Sequence, residues 1–224
     1  MSNYHLIVYG ATSFVGQLLT RYLFERHGAQ GDFRWAIAGR SQSKLATLRS
    51  SLGSAAQSLP IVLADAADET ALMAMCQQTN VVVSTVGPYA LYGSPLVKVC
   101  AHSGTDYCDL TGEPQWIAKM IDAHQAAAQA SGARIVHCCG FDSVPSDMGT
   151  YYLQQQAQQQ FGQPCSRVKL RVKAIRGGIS GGTVASIIEL VKEAAVDPAL
   201  RKLMANPFAL CPTSQGKPKQ PNVQ

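Results

Sequence analysis

Short apolar runs of strand length alternate with longer amphipathic segments along the first part of the chain. Runs such as Leu6-Ile7-Val8 and Val81-Val82-Val83 are hydrophobic at consecutive positions. That pattern is typical of strands covered by helices on both faces, as in a parallel sheet. Six strands are predicted, at His5–Tyr9, Arg34–Ala38, Pro60–Ala64, Asn80–Val86, Asp106–Asp109 and Arg134–Cys138. Five helices are predicted between them, at Val15–His27, Gln42–Leu52, Asp68–Gln78, Ser94–Ser103 and Glu113–Ala130.

This alternation predicts the α/β class, with a doubly wound parallel sheet of Rossmann type in a first domain over residues 1–150. Residues 151–224 have a different pattern. The elements predicted in this part are a helix continuing from Pro145, a strand at Arg167–Ile175 and a helix at Thr183–Ala195, followed by a proline-rich tail from about residue 206. So few elements cannot enclose a second core. We therefore expect a truncated α/β domain for substrate binding and dimerisation, as a fragment or a natural truncation.

Composition narrows the function mainly by exclusion. Hydrophobic residues make up 46% of the 224 residues and charged residues 15%, which is typical of a globular protein. The net charge of +5 is spread along the chain, whereas a nucleic-acid binder concentrates Lys and Arg on one element. The seven cysteines show no CxxC spacing, so no metal site is predicted.

The sequence predicts a cytoplasmic protein. It opens directly on a strand pattern without a secretory leader, and no stretch reaches the ~18 apolar residues of a membrane span. A membrane contact made by a part outside this chain stays open.

The strongest local signal is the loop Gly10-Ala11-Thr12-Ser13-Phe14-Val15-Gly16, between the first predicted strand and helix. Gly10 permits a tight turn, Gly16 lets the helix pack closely on the sheet, and free amides at the helix start would receive a pyrophosphate. Ser13 stands where a third glycine is usual; its side chain restricts φ, although its hydroxyl could donate to a phosphate. The loop predicts a dinucleotide site, and a purely structural turn is the alternative.

Arg40 follows the second predicted strand, where NAD-preferring folds carry an Asp or Glu for the ribose hydroxyl. A guanidinium can pair bidentately with a 2′-phosphate, and Ser41 and Lys44 supply further donors nearby. These residues predict NADP as the cofactor, with NAD less favoured. The alternative is that Arg40 is a solvated surface charge.

Two more strand ends are expected at the same crevice, beyond the carboxyl ends of the strands. Asp65 could accept from the adenine amino group or cap the helix that follows. Val86, Gly87 and Pro88 predict a turn that passes under the nicotinamide ribose, with Tyr89 beside the ring.

Several motifs together resemble the saccharopine dehydrogenase-like oxidoreductases. They are GATSFVG, AGRSQSKL, VVVSTVGPYALYGSPLVKVCAHSGTDYCDLTGE and GFDSVPSDMG. The likeness is strongest to the branch of the mycobacterial trans-acting enoyl reductases and the vertebrate saccharopine dehydrogenase-like oxidoreductase, and it runs from Tyr4 to about Val191. The resemblance implies a Rossmann domain followed by a mixed α/β domain with much of the substrate site and the dimer contact. Complete members are considerably longer.

The resemblance implies an NADP-dependent oxidoreductase that transfers a hydride to a C=C or C=N bond, with enoyl reduction of a lipid-like substrate as the specific form. The catalytic residue is unknown, and the candidates are Tyr89, Asp109 and Asp142. Asp142 could orient substrate or cap the helix near Pro145, whereas Asp109 and Glu113 could equally be turn and helix-start residues.

No tyrosine has Lys four positions later, so the Tyr-x-x-x-Lys pair of short-chain dehydrogenases is absent. This absence keeps a second function open, a dinucleotide-binding redox sensor or interaction module that does not turn the cofactor over. A third alternative is a nonfunctional fragment with an unfinished interface.

Overall fold

The structure is a computed structural model that describes residues 2–174, 176–178, 181–206 and 208–211. Within these residues the apolar runs form one parallel six-stranded sheet in the order β3-β2-β1-β4-β5-β6. The strands are β1 (Tyr4–Tyr9), β2 (Trp35–Gly39), β3 (Ile61–Leu63), β4 (Thr79–Ser84), β5 (Asp106–Asp109) and β6 (Ile135–Val136). The predicted doubly wound α/β fold is confirmed.

Helices cover both faces of the sheet, as the apolar strands require. The helices are α1 (Phe14–His27), α2 (Gln42–Ser51), α3 (Glu69–Cys76), α4 (Tyr89–Tyr92), α5 (Ser94–Ser103), α6 (Pro114–Ser131), α7 (Val144–Phe161), α8 (Gly181–Val196) and α9 (Pro198–Met204), with a one-turn 3-10 helix at Ser54–Ala56. One core contains Leu72, Leu96 and Trp116, from α3, α5 and α6. A second contains Leu23 and Leu45, from α1 and α2, and a small third cluster contains Ala101 and Ala128, from α5 and α6.

The strand order reverses beside β1, which pairs with both β2 and β4. Tyr9 lies opposite Ala38 on one side and Ser84 on the other. The carboxyl ends of these three strands are therefore level. The loops that leave them lie side by side, at the topological switch point where such sheets bind ligands.

The second part of the chain matches its prediction in part. Helices α7 and α8 form where helices are expected, but the predicted strand at Arg167–Ile175 is wrong over residues 167–174, which carry no strand pairing in the described part of the chain. Alternating side chains form a strand only where a neighbouring strand completes the hydrogen-bond ladder. Ile175 and the tail beyond Cys211 lie outside the described residues. No described helix has the length and apolarity to cross a membrane.

Candidate functional site

Two glycines shape the turn from β1 into α1. Gly10 has φ +82°, a left-handed conformation, and a Cβ there would lie 2.6 Å from Val86 Cγ2 and 2.9 Å from Thr85 Oγ1. A Cβ on Gly16 would lie 2.3 Å from the carbonyl oxygen of Gly10 and 2.8 Å from the Ala11 backbone. The first turn of α1 therefore packs on the loop itself, and not mainly on the strands as predicted. Neither position has room for a side chain.

Ser13 occupies its position without strain, because its φ of −69° is ordinary extended backbone. Its hydroxyl accepts from the Gly16 amide at 2.9 Å, so Ser13 is the N-cap of α1. The same hydroxyl donates to Thr85 Oγ1 at 3.0 Å, and Thr85 in turn donates to the Gly10 carbonyl at 2.9 Å. The third glycine of the usual pattern is thus replaced by a residue that links the β1 loop to the end of β4. Its hydroxyl proton already has an acceptor in this arrangement.

The loop presents free backbone donors at the start of α1. Within the described residues the amides of Thr12, Phe14 and Val15 have no hydrogen-bond acceptor, whereas those of Ser13 and Gly16 are both bonded. Unpaired amides at a helix N-terminus, reinforced by the helix dipole, favour a bound anion. A glycine-walled turn with such donors fits a pyrophosphate.

Arg40 directly follows β2 and is exposed. Among the described residues its guanidinium has no ion pair or hydrogen bond, which leaves all of its donors available for a phosphate. Ser41 is the N-cap of α2 and accepts from the Lys44 amide at 3.4 Å, and the Lys44 side chain is exposed. These residues lie at the carboxyl edge of the sheet, one strand away from the Gly10 loop.

Asp65 follows β3 at the same edge of the sheet. Its carboxylate accepts from the Ala67 amide at 2.9 Å in a local turn. The alternative that Asp65 caps the next helix is wrong, because the N-cap of α3 is Asp68, which accepts from Thr70 and Ala71. A role toward adenine stays a prediction.

The turn after β4 leads through Gly87 and Pro88 into α4. The ring of Tyr89 packs near Gly87, at 3.5 Å from the position a Cβ would take. Its hydroxyl lies in the core, donates to the Ser84 carbonyl at 3.0 Å and accepts from the Leu110 amide at 3.4 Å. Burial, and next the charge of Asp109, raise the pKa of this hydroxyl above its ordinary range. The ring of Tyr89 is part of the cleft wall, and a role of its hydroxyl as a proton donor stays a prediction.

Glu113 binds the same turn from the other side. Its carboxylate is 3% exposed and accepts from the Tyr89 amide at 2.9 Å and from the Ala90 amide at 2.8 Å. The Ser186 hydroxyl, from α8, donates to it at 2.7 Å. The sequence predicted for Glu113 only a position at a helix start. The structure agrees, because Glu113 is the N-cap residue of α6. Its contacts with α4 and α8 depend on distant segments and leave no local signal.

The start of α1, the turn after β4 and helix α8 enclose a cleft of about 260 Å³. The start of α1 forms one wall, the turn after β4 forms the floor, and α8 forms the opposite wall. The lining residues with apolar side chains are Phe14, Val15, Leu110, Ile187 and Leu190. Glu113 and Asp142 are the carboxylates among the lining residues, and Asp142 is exposed.

Asp142 does not cap α7, whose N-cap residue is Ser143 and whose first turn has no capping side chain. The capping interpretation of Asp142 is therefore wrong. Its place at the cleft leaves the substrate-orienting alternative as a prediction.

Asp109 is fully buried at the carboxyl end of β5 and directly precedes Leu110, which lines the cleft. Its carboxylate accepts from the Tyr107 hydroxyl at 2.9 Å and from His137 Nδ1–H at 2.7 Å. The amides of Thr111 and Cys138 each donate to it at 3.1 Å. Four donors saturate the carboxylate, and Asp109 is not among the residues that line the cleft. A catalytic role for Asp109 stays a prediction. The sequence analysis missed His137. It could have been found, because His137 follows β6 and Asp109 ends β5, so both lie at the carboxyl edge of the same parallel sheet.

Comparisons with known proteins concern the fold and the sequence family of the chain. The sequence pattern of the family described as the saccharopine dehydrogenase NADP-binding domain matches residues 6–136. A solved structure, apo saccharopine dehydrogenase (L-Glu forming) from Saccharomyces cerevisiae, superposes with a TM-score of 0.50 at 15% identity. The superposition covers 70% of this chain and 32% of the yeast chain. At that identity the likeness concerns the fold alone.

Curated relatives are more similar in sequence. A Mycobacterium tuberculosis protein, provisionally named as a trans-acting enoyl reductase, is 44% identical over 216 residues. The trans-acting enoyl reductase of Mycobacterium leprae is 39% identical over 216 residues. Each match covers 96% of this chain but 51% of the relative. The chain thus spans about half the length of these relatives.

Proposed function

Because the chain belongs to the saccharopine dehydrogenase NADP-binding domain family, we propose that it forms the cofactor-binding part of an NADP-dependent enoyl reductase. The observation that carries this proposal is the turn from β1 to α1. Its wall has no room for a Cβ at Gly10 or Gly16, and the amides of Thr12, Phe14 and Val15 lack acceptors among the described residues. Such a turn takes the pyrophosphate of a dinucleotide.

Arg40 is the basis for proposing NADP rather than NAD as the cofactor. It is an exposed cation at the end of β2, without a hydrogen bond or ion pair among the described residues, in the place where a carboxylate would repel a 2′-phosphate. A guanidinium can hold that phosphate through two parallel hydrogen bonds. Ser41 and Lys44 stand beside it at the start of α2.

The cleft supports reduction of a C=C or C=N bond in an apolar substrate. NADPH, when bound, supplies a hydride, so the protein has to position the acceptor and exclude water. Leu110, Ile187 and Leu190 line the cleft with apolar surface, which fits a lipid-like acyl chain. Asp142, exposed at the cleft, is assigned to orienting the polar end of the substrate.

The apolar exposure of α7 supports a contact between two copies of the chain. Met148, Tyr151 and Tyr152 are each more than half exposed along this helix. Contiguous apolar surface of this kind marks interaction sites on soluble proteins. We therefore assign a homodimer contact to α7.

Titration calorimetry with NADPH and NADH tests the cofactor assignment directly. NADPH is expected to bind the chain at least about tenfold more tightly than NADH, because only NADPH carries the 2′-phosphate. Equal affinities would contradict the role of Arg40, and absence of binding to either would overturn the proposed function.

The reaction is tested by supplying α,β-unsaturated acyl thioesters with NADPH and following the loss of cofactor absorbance. Consumption dependent on both components supports enoyl reduction. Tight NADPH binding without consumption of any unsaturated acyl or imine substrate would favour the redox-sensing alternative.

A further inference from the structure

The buried carboxylate of Glu113 joins three segments that are distant in sequence. Its two oxygens accept from the amides of Tyr89 and Ala90, at the start of α4, and from the hydroxyl of Ser186 on α8. Glu113 itself begins α6. One side chain thus ties the turn on the cleft floor to the helix that forms a cleft wall.

A carboxylate suits this position for a geometric reason. Two adjacent amides at a helix start point in nearly the same direction, and a carboxylate offers one oxygen to each of them. Its remaining lone pairs accept the hydroxyl from α8. Because the side chain is 3% exposed, water does not substitute for these donors, and a lost contact leaves an unpaired group in the interior.

A second contact fixes the same face of α8. Gln115, the second residue of α6, donates from Nε2 to Glu193 Oε2 at 3.5 Å. Glu193 lies two helical turns beyond Ser186, so both residues of α8 face the start of α6. The contacts of Ser186 and Glu193 hold the wall formed by α8 against the start of α6, and Ser186, bonded to Glu113, is the one of the two that lines the cleft.

We infer that Glu113 is a positioning residue that couples the cofactor-side turn at Gly87–Tyr89 to the substrate-side wall formed by α8. This role rests on the proposed function. Cofactor binding that orders the turn after β4 then also orders α8, through the Tyr89 and Ala90 amides, the carboxylate and the Ser186 hydroxyl. Glu113 acts through these groups and contacts neither the hydride nor its acceptor.

The test combines amide hydrogen exchange with NADPH titration on three proteins: the wild-type chain, Ser186→Ala and Glu113→Gln. In the wild type, NADPH is expected to slow exchange both in residues 86–93 and in α8. Ser186→Ala removes one hydroxyl from a helix that is not deeply buried, so we expect the variant to fold. It is expected to keep NADPH protection in residues 86–93 and to lose it in α8.

Glu113→Gln is expected to affect both sides of the coupling. An amide nitrogen cannot accept, so one of the Tyr89 and Ala90 amides loses its partner. Exchange in residues 86–93 rises without cofactor, and the Kd for NADPH rises about tenfold, the size expected for a lost charge-assisted hydrogen bond. Glu69→Gln is the matched control, because Glu69 pairs with Lys98 outside the cleft, and Ser50→Ala is the control for an exposed helical serine on α2.

The outcomes separate this inference from the function on which it rests. Equal NADPH protection of α8 in the wild type and in Ser186→Ala would overturn the coupling, as would an unchanged Kd in a folded Glu113→Gln variant. A wild-type chain that binds no NADPH would overturn the proposed function, and the positioning role with it. If Ser186→Ala loses NADPH protection in α8 but keeps it in residues 86–93, and both control variants behave as the wild type, the inference is supported.

Discussion

At the scale of single residues, the backbone explains which loop positions must be glycine. Gly10 needs a left-handed φ and Gly16 needs the absence of a Cβ, whereas Ser13 has an ordinary φ and is free to carry a side chain. The two glycines that the fold requires could be predicted from the sequence. The hydroxyl of Ser13 could not be placed, because its partner Thr85 comes from a strand far along the chain.

Replacement of Gly16 by valine tests the close contact at the start of α1. The added side chain meets the backbone of Gly10 and Ala11, and overpacking of this kind costs roughly 1–3 kcal/mol. We expect a lower melting temperature and weaker NADPH binding.

The control is Gly149→Ala on α7, where nothing lies within 4 Å of a built Cβ. There the helix should gain about 0.5–1 kcal/mol, because alanine is the better helix former. Equal melting temperatures for Gly16→Val and the wild type would contradict the contact.

Replacement of Arg40 by aspartate tests cofactor choice. The new carboxylate repels the 2′-phosphate, so the affinity for NADPH should fall about 10- to 100-fold and that for NADH should change little. Titration calorimetry measures both constants. Arg26→Asp carries the same charge change on an exposed residue in the last turn of α1, far from the cleft, and should leave both affinities unaltered. Similar losses for both cofactors in Arg40→Asp would refute the assignment.

At the scale of secondary structure, periodicity predicted the sheet well where long apolar runs are covered by helices. β5 and α5 have the predicted bounds, whereas β6 is limited to Ile135–Val136 and lies at the sheet edge. The four-residue helix α4 was missed, because its first amides are bonded by Glu113 from another segment. The local sequence pattern does not show a helix cap that comes from a distant segment of the chain.

The edge strand is tied to its neighbour by an ion pair, which predicts a pH dependence. Arg134 donates from Nε and from its backbone amide to Asp106, each at 2.9 Å, and this hydrogen bonding lowers the pKa of the carboxyl. A carboxyl with a lowered pKa stabilises the fold above the ordinary aspartate pKa of about 3.9, and the contribution is lost as the pH falls through the lowered value.

Melting temperatures of the wild type and Arg134→Met should therefore differ most near neutral pH and converge under acid conditions. The effect is small, because the guanidinium is largely exposed and the pair is screened by solvent. A difference that stays constant as the pH is lowered would contradict this account.

At the scale of the whole molecule, the two parts of the chain differ in how they bury apolar surface. The sheet and its helices enclose the hydrophobic clusters described above, whereas Ala157 is the buried residue of α7 and Val191 on α8 is 62% exposed. The sequence indicated this difference, because few elements follow the sheet. It could not indicate that α8 returns to form a wall of the cleft.

A double substitution of Met148→Lys and Tyr152→Lys tests whether α7 associates with a second copy. Both side chains are more than half exposed, so stability should change by no more than about 0.5 kcal/mol. Sedimentation velocity should show concentration-dependent association of the wild type and a monomer for the variant. Gln156→Lys, on the same helix but polar, is the control. Identical association of all three proteins would exclude α7 from the contact.

The cleft draws its two walls from opposite ends of the described chain, with Phe14 on one side and Ile187 on the other. Under the proposed function, selectivity for the nucleotide and selectivity for the molecule to be reduced would therefore be encoded in separate stretches of sequence. Either stretch can diverge while the other is retained, provided that the carboxylate between them keeps its hydroxyl partner. Grafting residues 182–190 from a related protein should therefore exchange substrate preference and leave the nucleotide preference intact.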